Sequence, residues 1–143
     1  MFAACFPLFA DDTQAVQNPQ TEKNPLNFIG RTLKEIITSY GAPDSVYAVR
    51  GRETWQDDVV FEYKGVDFYL YKDHVWQVGI NKTAAISVGD PKAAVLLVLG
   101  ESAEDRGSYI LNNAAGTTWV LQWRYNINSN GKVSSIYLYR TDY

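Results

Sequence analysis

The residues that most often carry catalysis are scarce in this chain, which has one histidine and one cysteine. His74 lies in a short polar segment that predicts a turn between two strands, so we expect a solvent-exposed histidine. Two carboxylate pairs, Asp11-Asp12 and Asp57-Asp58, consist of adjacent residues. Adjacent side chains on a strand point to opposite faces, so neither pair by itself forms a shared acid/base site. No nucleophile–histidine–carboxylate arrangement can be assembled.

Cofactor and metal chemistry have equally little support in the sequence. Glu101, Glu104 and Asp105 form an acidic segment that predicts a solvated surface. Gly30 and Gly89 belong to neither of the glycine-rich patterns that hold nucleotide phosphates. A single cysteine allows no disulfide framework and no cysteine-based metal site. We therefore expect a non-enzymatic protein without cofactor or metal.

The aromatic residues are the strongest functional candidates, because ten Tyr, six Phe and four Trp make up 14% of the chain. Four tyrosines alternate with aliphatic residues in two predicted strands and are expected on the opposite face from them, and one tryptophan lies in a polar turn. Exposed aromatic groups anchor many binding sites, whereas tyrosine also simply suits solvent-facing strand positions. The predicted binding residues are Tyr69, Tyr71, Tyr137, Tyr139 and Trp55.

The charge balance excludes one class of partner. Thirteen basic and sixteen acidic residues give a net charge of −3, and no basic run is present. Nucleic-acid binding depends on clustered Lys and Arg that neutralise phosphates. We expect no nucleic-acid partner.

The N-terminal segment predicts export. Residues 1–10 are apolar, end in the small residue Ala10 and precede a polar stretch, as at the end of a secretory signal, although no Lys or Arg precedes them. Lipid modification of Cys5 is the alternative interpretation. Residues 11–26 predict a flexible polar tether, and 27–143 one globular domain. No apolar run approaches the roughly 20 residues of a membrane span, so we expect a periplasmic or cell-surface location.

Two glycine-bounded helices organise that domain. Thr32 and Glu35 form a capping box before an apolar stripe that ends at Gly41. A second copy runs from Gly89 to Gly100, with Asp90 predicted as N-cap and Pro91 at the first helical position. The second helix is apolar nearly all round, so we expect it to be the buried centre of the domain, unless a partner chain covers its extra face.

Strand-like sequence follows each helix. Alternating apolar and polar residues separated by short turns such as Lys64-Gly65 and Asn130-Gly131 predict antiparallel meanders. The sequence therefore predicts an α+β fold of two helix-plus-β-meander repeats, residues 27–82 and 86–143. Both helices are expected to pack on one face of an antiparallel sheet.

This arrangement resembles the β-lactamase-inhibitor-protein-like fold and the small outer-membrane lipoprotein A family. The likeness rests on four segments that bound the two helices: Ile29-Gly30-Arg31-Thr32, Gly41-Ala42-Pro43, Val88-Gly89 and Leu99-Gly100. The inhibitor proteins contain disulfides, which one cysteine cannot supply. They present the open sheet face to an enzyme, so the resemblance implies a binding surface here.

The leading hypothesis is an exported binding module that engages a cell-envelope protein through the aromatic sheet face. The alternative is a small-ligand carrier with a pocket between helices and sheet, for which we expect a lining of Trp119, Trp123 and Leu96. An enzyme would instead require carboxylates that converge near His74.

Overall fold

The structure, a computed structural model, describes Asn24, residues 27–51 and residues 53–143. The predicted signal segment, Cys5 and, apart from Asn24, the polar tether lie outside the described residues. No helix in the described part of the chain is long and apolar enough to cross a membrane.

Two short helices and eight strands make up the regular structure of the described residues. The helices are α1 (Leu33–Tyr40) and α2 (Lys92–Leu99), and a 3-10 turn (Gly100–Ser102) follows α2. The strands in chain order are β1 (Ser45–Arg50), β2 (Asp57–Tyr63), β3 (Val66–Tyr71), β4 (His74–Ile80), β5 (Glu104–Asp105), β6 (Tyr109–Asn113), β7 (Leu121–Ile127) and β8 (Val133–Arg140).

All eight strands form one antiparallel sheet in the order β1-β2-β3-β4-β8-β7-β6-β5. The central join is between β4 and β8, where Val78 pairs with Leu138 and Ile80 with Ile136. The predicted α+β fold of two helix-plus-meander repeats is therefore wrong. A single sheet is the unit of the fold, and the two helices contribute only eight residues each.

Local interactions explain α1. Thr32 Oγ1 accepts a hydrogen bond from the Glu35 backbone N–H, and the Glu35 carboxylate accepts one from the Thr32 N–H, which confirms the capping box. The helix ends at Gly41, whose φ of 78° suits a residue without Cβ. Ile36 is fully buried against the sheet, whereas Ile37 is 42% exposed.

The prediction that α2 forms the buried centre is also wrong. Val95 is its one buried residue, and Leu97 and Val98 are 85% and 50% exposed. Pro91 is the N-cap rather than the first helical residue, and the Asp90 carboxylate instead accepts a hydrogen bond from the Ser87 N–H. An all-round apolar helix has more apolar surface than one sheet face can cover.

The core lies between this pair of helices and one face of the sheet, which we call the helix face. Ile36 of α1 belongs to a buried cluster with Phe68, Leu70, Val78 and Leu138. Val95 of α2 belongs to a second cluster with five residues from the strands and the loop after β4: Ile86, Ile110, Tyr125, Val133 and Ile136. Partly buried Ile80 and Trp123 contact both clusters. The opposite face of the sheet, the open face, carries no helix from the described part of the chain.

Candidate binding face

The open face collects the predicted tyrosines. The pairing register places Tyr69 opposite Gln77, Gln77 opposite Tyr139 and Tyr139 opposite Gln122, so these four side chains form a row across β3, β4, β8 and β7. Tyr137 lies two residues along β8 from Tyr139 and therefore on the same face. Its ring meets that of Tyr69 edge to face, with 6.0 Å between centroids.

The remaining predicted binding residues lie at one end of this face. Trp55 is 66% exposed and its ring centroid is 5.7 Å from that of Tyr71. Tyr71 also contacts Tyr143 at 5.9 Å. The structure thus places all five predicted residues on one side of the sheet, but the four tyrosines are half-buried and only Trp55 projects far into solvent.

Trp76 joins this face, which its sequence pattern did not indicate. Alternation along β4 predicts Trp76 beside Val78 on the aliphatic side. A register shift between β3 and β4 instead puts Val75 into the core, and Trp76 stacks on Tyr143 with ring planes 7° apart. A bulge re-aims side chains in this way, and no residue type in the strand signals it.

A cleft of about 540 Å³ runs across the open face; we call it the sheet cleft. Its lining combines three aromatic rings with amide and charged groups. The lining residues include Asp58, Tyr69, Trp76, Gln77, Gln122, Arg124 and Tyr139. Binding sites commonly combine apolar walls with a few fixed polar groups in this manner.

Gln77, Gln122 and Arg124 provide part of the polar surface of the sheet cleft, which Arg50 also lines. Gln122 accepts a hydrogen bond from the Tyr139 hydroxyl at 2.5 Å, which fixes both side chains. The Arg124 guanidinium lies 4.0 Å above the Tyr109 ring, and its Nε donates to Asn126 at 2.8 Å. The Gln77 amide forms no hydrogen bond with another described side chain or backbone group. Gln77 can therefore donate to and accept from a ligand at the centre of the row.

A buried polar cluster supports one end of the sheet cleft. Gln56 and Asp58 are 2% and 1% exposed, and the Gln56 amide donates to Asp58 Oδ1 at 2.8 Å. Burial raises the pKa of Asp58, and the amide of Gln56 and the nearby indole N–H of Trp76 partly offset that rise. The indole N–H is itself buried and lies outside hydrogen-bonding geometry with the described residues.

A second group of acids and tyrosines lies beside the sheet cleft. Glu62 of β2 is directly opposite Asp67 of β3, and Asp67 is opposite Gly79, which pairs with Tyr137. Burial, and then the charge of Glu62, raise the pKa of Asp67. Glu62 accepts a hydrogen bond from the Ser45 hydroxyl at 2.6 Å. These carboxylates were not singled out from the sequence, although the predicted two-residue Lys64-Gly65 turn already places Glu62 opposite Asp67.

This like-charge pair predicts a stability effect. Asp67→Asn should raise the free energy of unfolding at pH 7 by about 0.5 kcal/mol, because directly opposed like charges destabilise a sheet. The folded-state pKa of Asp67 is raised, so the native chain gains stability as pH falls through that pKa and the asparagine variant does not. The advantage should therefore vanish below about pH 4.

Urea unfolding at several pH values measures this difference. Glu101→Gln, which removes an exposed acid after α2, is the control and should change stability by less than about 0.5 kcal/mol. An Asp67→Asn variant less stable than the native chain at pH 7 would contradict the expectation.

The residues considered for catalysis do not converge. His74 is exposed, with Nδ1 3.0 Å from the Lys72 carbonyl oxygen. Asp57 is exposed and Asp58 buried, as expected for adjacent strand residues. No group of three or more His, Cys, Asp and Glu residues in the described ranges could hold a metal ion. Asp11-Asp12 lies outside those ranges.

A further cleft of about 580 Å³ lies on the helix face, between the end of α2, the loop after β4 and strands β6 and β7. Its apolar lining includes Ile86, Val98, Leu99, Trp123 and Tyr125. Of the three residues predicted to line a carrier pocket, Trp123 lines this cleft, and Trp119 and Leu96 do not. Trp119 is 41% exposed and packs over Gly30, and Leu96 of α2 is partly buried against the core cluster that contains Val95.

Comparison with known proteins adds one structural likeness. No protein-family model and no curated protein matches the sequence. A solved structure of an extracellular protein containing an SCP domain, from Bacillus anthracis str. Ames, is similar over 94% of this chain, with a TM-score of 0.56 and 13% identity. The chain corresponds to 51% of that protein, about half its length. At this identity the likeness concerns the fold alone.

Proposed function

We propose that this chain is an exported, non-enzymatic binding module that engages a protein partner through the open face of the sheet. The observation that carries the proposal is the sheet cleft, which has the unpartnered amide of Gln77 on its floor between Tyr69 and Tyr139. An amide in that position matches the donor and acceptor of a peptide group in an extended segment.

The rings around Gln77 favour a partner that buries apolar surface. Tyrosine and tryptophan contribute large contact areas at low conformational entropy cost, which is why they are enriched in binding hot spots. Tyr71 and the protruding Trp55 extend the aromatic surface beyond the sheet cleft.

Export is supported by two observations. The apolar segment 1–10 has the pattern of a secretory signal, and the similar solved structure is of an extracellular protein. A periplasmic or cell-surface site of action is part of the proposal, and lipid modification of Cys5 is the alternative to cleavage after Ala10.

Site-specific photo-crosslinking tests the binding face. A benzoylphenylalanine at position 55 should form an adduct with an envelope protein, because Trp55 projects from the open face. The same probe at position 37 is the matched control, since Ile37 is 42% exposed on α1, on the other side of the sheet. We expect Gln77→Arg to abolish the adduct by filling the sheet cleft.

A second cleft variant, Gln77→Leu, changes polarity with little change in volume and separates loss of the amide from blockage. Circular dichroism verifies that both variants fold. Equal adducts from positions 55 and 37, or an adduct that neither Gln77 variant weakens, would overturn the proposal.

A small-ligand carrier is the second candidate, favoured by the apolar cleft beside α2. Saturable binding of 1-anilinonaphthalene-8-sulfonate that Val98→Gln weakens and Gln77→Arg leaves unchanged would support this candidate. Val98 is half exposed, so the substitution should leave the fold intact. Binding that both variants leave unchanged would contradict it.

A further inference from the structure

A group of five side chains on β1, β2, β3 and β8 forms what we call the tyrosine–carboxylate corner: Tyr47, Glu62, Asp67, Tyr69 and Tyr137. Tyr47 and Tyr69 lie on either side of Val60 in one row of the open face, and Val60 is fully buried beneath them. Glu62, Asp67 and Tyr137 belong to the neighbouring row. The corner therefore adjoins the sheet cleft through Tyr69, which lines both.

Gly79 has no side chain between Asp67 and Tyr137, so these two residues can approach each other across β4. A Cβ at Gly79 would lie 3.2 Å from Cε1 of Tyr137 and 3.5 Å from Cβ of Asp67. The Tyr137 ring therefore lies across the backbone of β4 and reaches the side of Asp67. Because the same ring meets Tyr69 edge to face, two tyrosines and a carboxylate share one small volume.

The corner has negative charge without a positive partner. None of the ion pairs that the described residues form includes Glu62 or Asp67. The two carboxylates are directly opposed, which is an unfavourable arrangement in a sheet. Glu62 is exposed and Tyr47 is 41% exposed, so a group from outside can reach the corner.

We propose that the tyrosine–carboxylate corner receives a basic side chain of the partner protein, with the organic cation held between the tyrosine rings and Asp67. Aromatic faces attract cations, and a half-buried carboxylate adds a charge-assisted hydrogen bond. The cation also relieves the repulsion between Glu62 and Asp67. This inference rests on the proposed function, because it names the chemistry that the partner presents beside the sheet cleft.

A cation site in the corner also fits a partner that lays an extended segment along the sheet cleft. A side chain that reaches the corner leaves its backbone over Tyr69 and Gln77, where the floor of the sheet cleft offers an unpartnered amide. One residue of the partner would thus satisfy both features of the open face.

Small cations test the corner without an identified partner. Titration of the isotope-labelled protein with n-butylammonium chloride should produce saturable amide shifts at Asp67, Tyr69 and Gly79, at ionic strength held constant with sodium chloride. Butan-1-ol is the neutral control and should produce none at these positions. n-Butylguanidinium chloride in a parallel titration distinguishes a lysine from an arginine side chain.

Variants assign the effect to the corner. Asp67→Asn should weaken n-butylammonium binding about tenfold, because a hydrogen bond to a charged group is lost. Tyr137→Leu should also weaken binding, and Glu101→Gln should leave it unchanged. Equal shifts with butan-1-ol, or unchanged affinity in Asp67→Asn, would overturn the inference.

The two proposals fail in different ways. If the crosslinked adduct depends on Gln77 but neither organic cation binds the corner, the binding face stands and the cation inference is wrong. The opposite result is that n-butylammonium binds as expected but the Gln77 variants form as much crosslinked adduct as the native chain. In that case the corner is a cation site, and the proposed engagement of a protein along the sheet cleft is wrong.

Discussion

Replacing Phe68 with alanine is expected to lower the free energy of unfolding by about 4 kcal/mol. The Phe68 side chain is fully buried on the helix face of β3. Its ring lies between 5.1 and 5.8 Å from the rings of Phe28, Tyr40 and Tyr63, in edge-to-face contacts. The substitution leaves a cavity where α1, the segment before it and the sheet meet, and removes three ring contacts together.

Such a loss is a large part of the 5 to 15 kcal/mol by which domains of this kind are usually stable. Urea unfolding followed by circular dichroism measures it. Phe61→Ala is the matched control, because Phe61 pairs directly with Phe68 on the same face but is only partly buried. The control should lose less than half as much, and equal losses would show that Phe68 is not at the centre of this core.

The second large effect is expected at Gly51, where we predict that alanine lowers the free energy of unfolding by about 3 kcal/mol. A Cβ at Gly51 would lie 2.5 Å from Cγ and 2.8 Å from Nε2 of Gln56. Gln56 is buried, so its side chain cannot move aside without leaving the hydrogen bond to Asp58. The Asp58 carboxylate would then be buried without its amide donor.

This loss should depend on pH. Burial already raises the pKa of Asp58, and removal of the Gln56 hydrogen bond, which lowers it, should raise that pKa further. The destabilisation is therefore greatest while Asp58 is ionised and becomes smaller as pH falls through its folded-state pKa. Stability curves of both proteins between about pH 3 and pH 7 test the direction.

A double-mutant cycle isolates the cause. Gln56→Ala removes the side chain that the new methyl group would meet, so adding Gly51→Ala to it should cost much less than in the native chain. Fully additive losses would mean that the two residues do not interact and that a clash with Gln56 is not the reason why Gly51→Ala lowers the free energy of unfolding.

Local features of the sequence predicted local features of the structure. The capping box at Thr32 and Glu35 and the helix end at Gly41 formed as expected, because each interaction joins residues no more than four positions apart. The hairpin at Lys64-Gly65 formed likewise, with Gly65 at a φ of 83°. These devices depend on residue type and spacing, which the sequence contains directly.

The candidate site was only partly accessible from the sequence. Alternation along β3 and β8 places Tyr69, Tyr71, Tyr137 and Tyr139 on one face, and the structure has them there. The predicted two-residue turn at Lys64-Gly65 implies that Glu62 and Asp67 face each other, but the sequence contains no sign that Trp76 turns to the open face. The orientation of Trp76 depends on the β3–β4 register, because a shift of one residue moves a side chain to the other face.

The sequence by itself determined the first helix, the main hairpins and the aromatic character of one sheet face. Tertiary structure decided how much of α2 is buried. The apolar composition of the helix shows which of its surfaces could be buried, but it does not show how many neighbouring elements are present to cover them. Tertiary structure also decided that β4 and β8 join the strands into one sheet. Each is an edge strand within its own half of the chain, with unpaired backbone groups that any compatible edge can satisfy. Only the folded chain selects which two edges meet, and that choice creates the open face on which the proposed binding site lies.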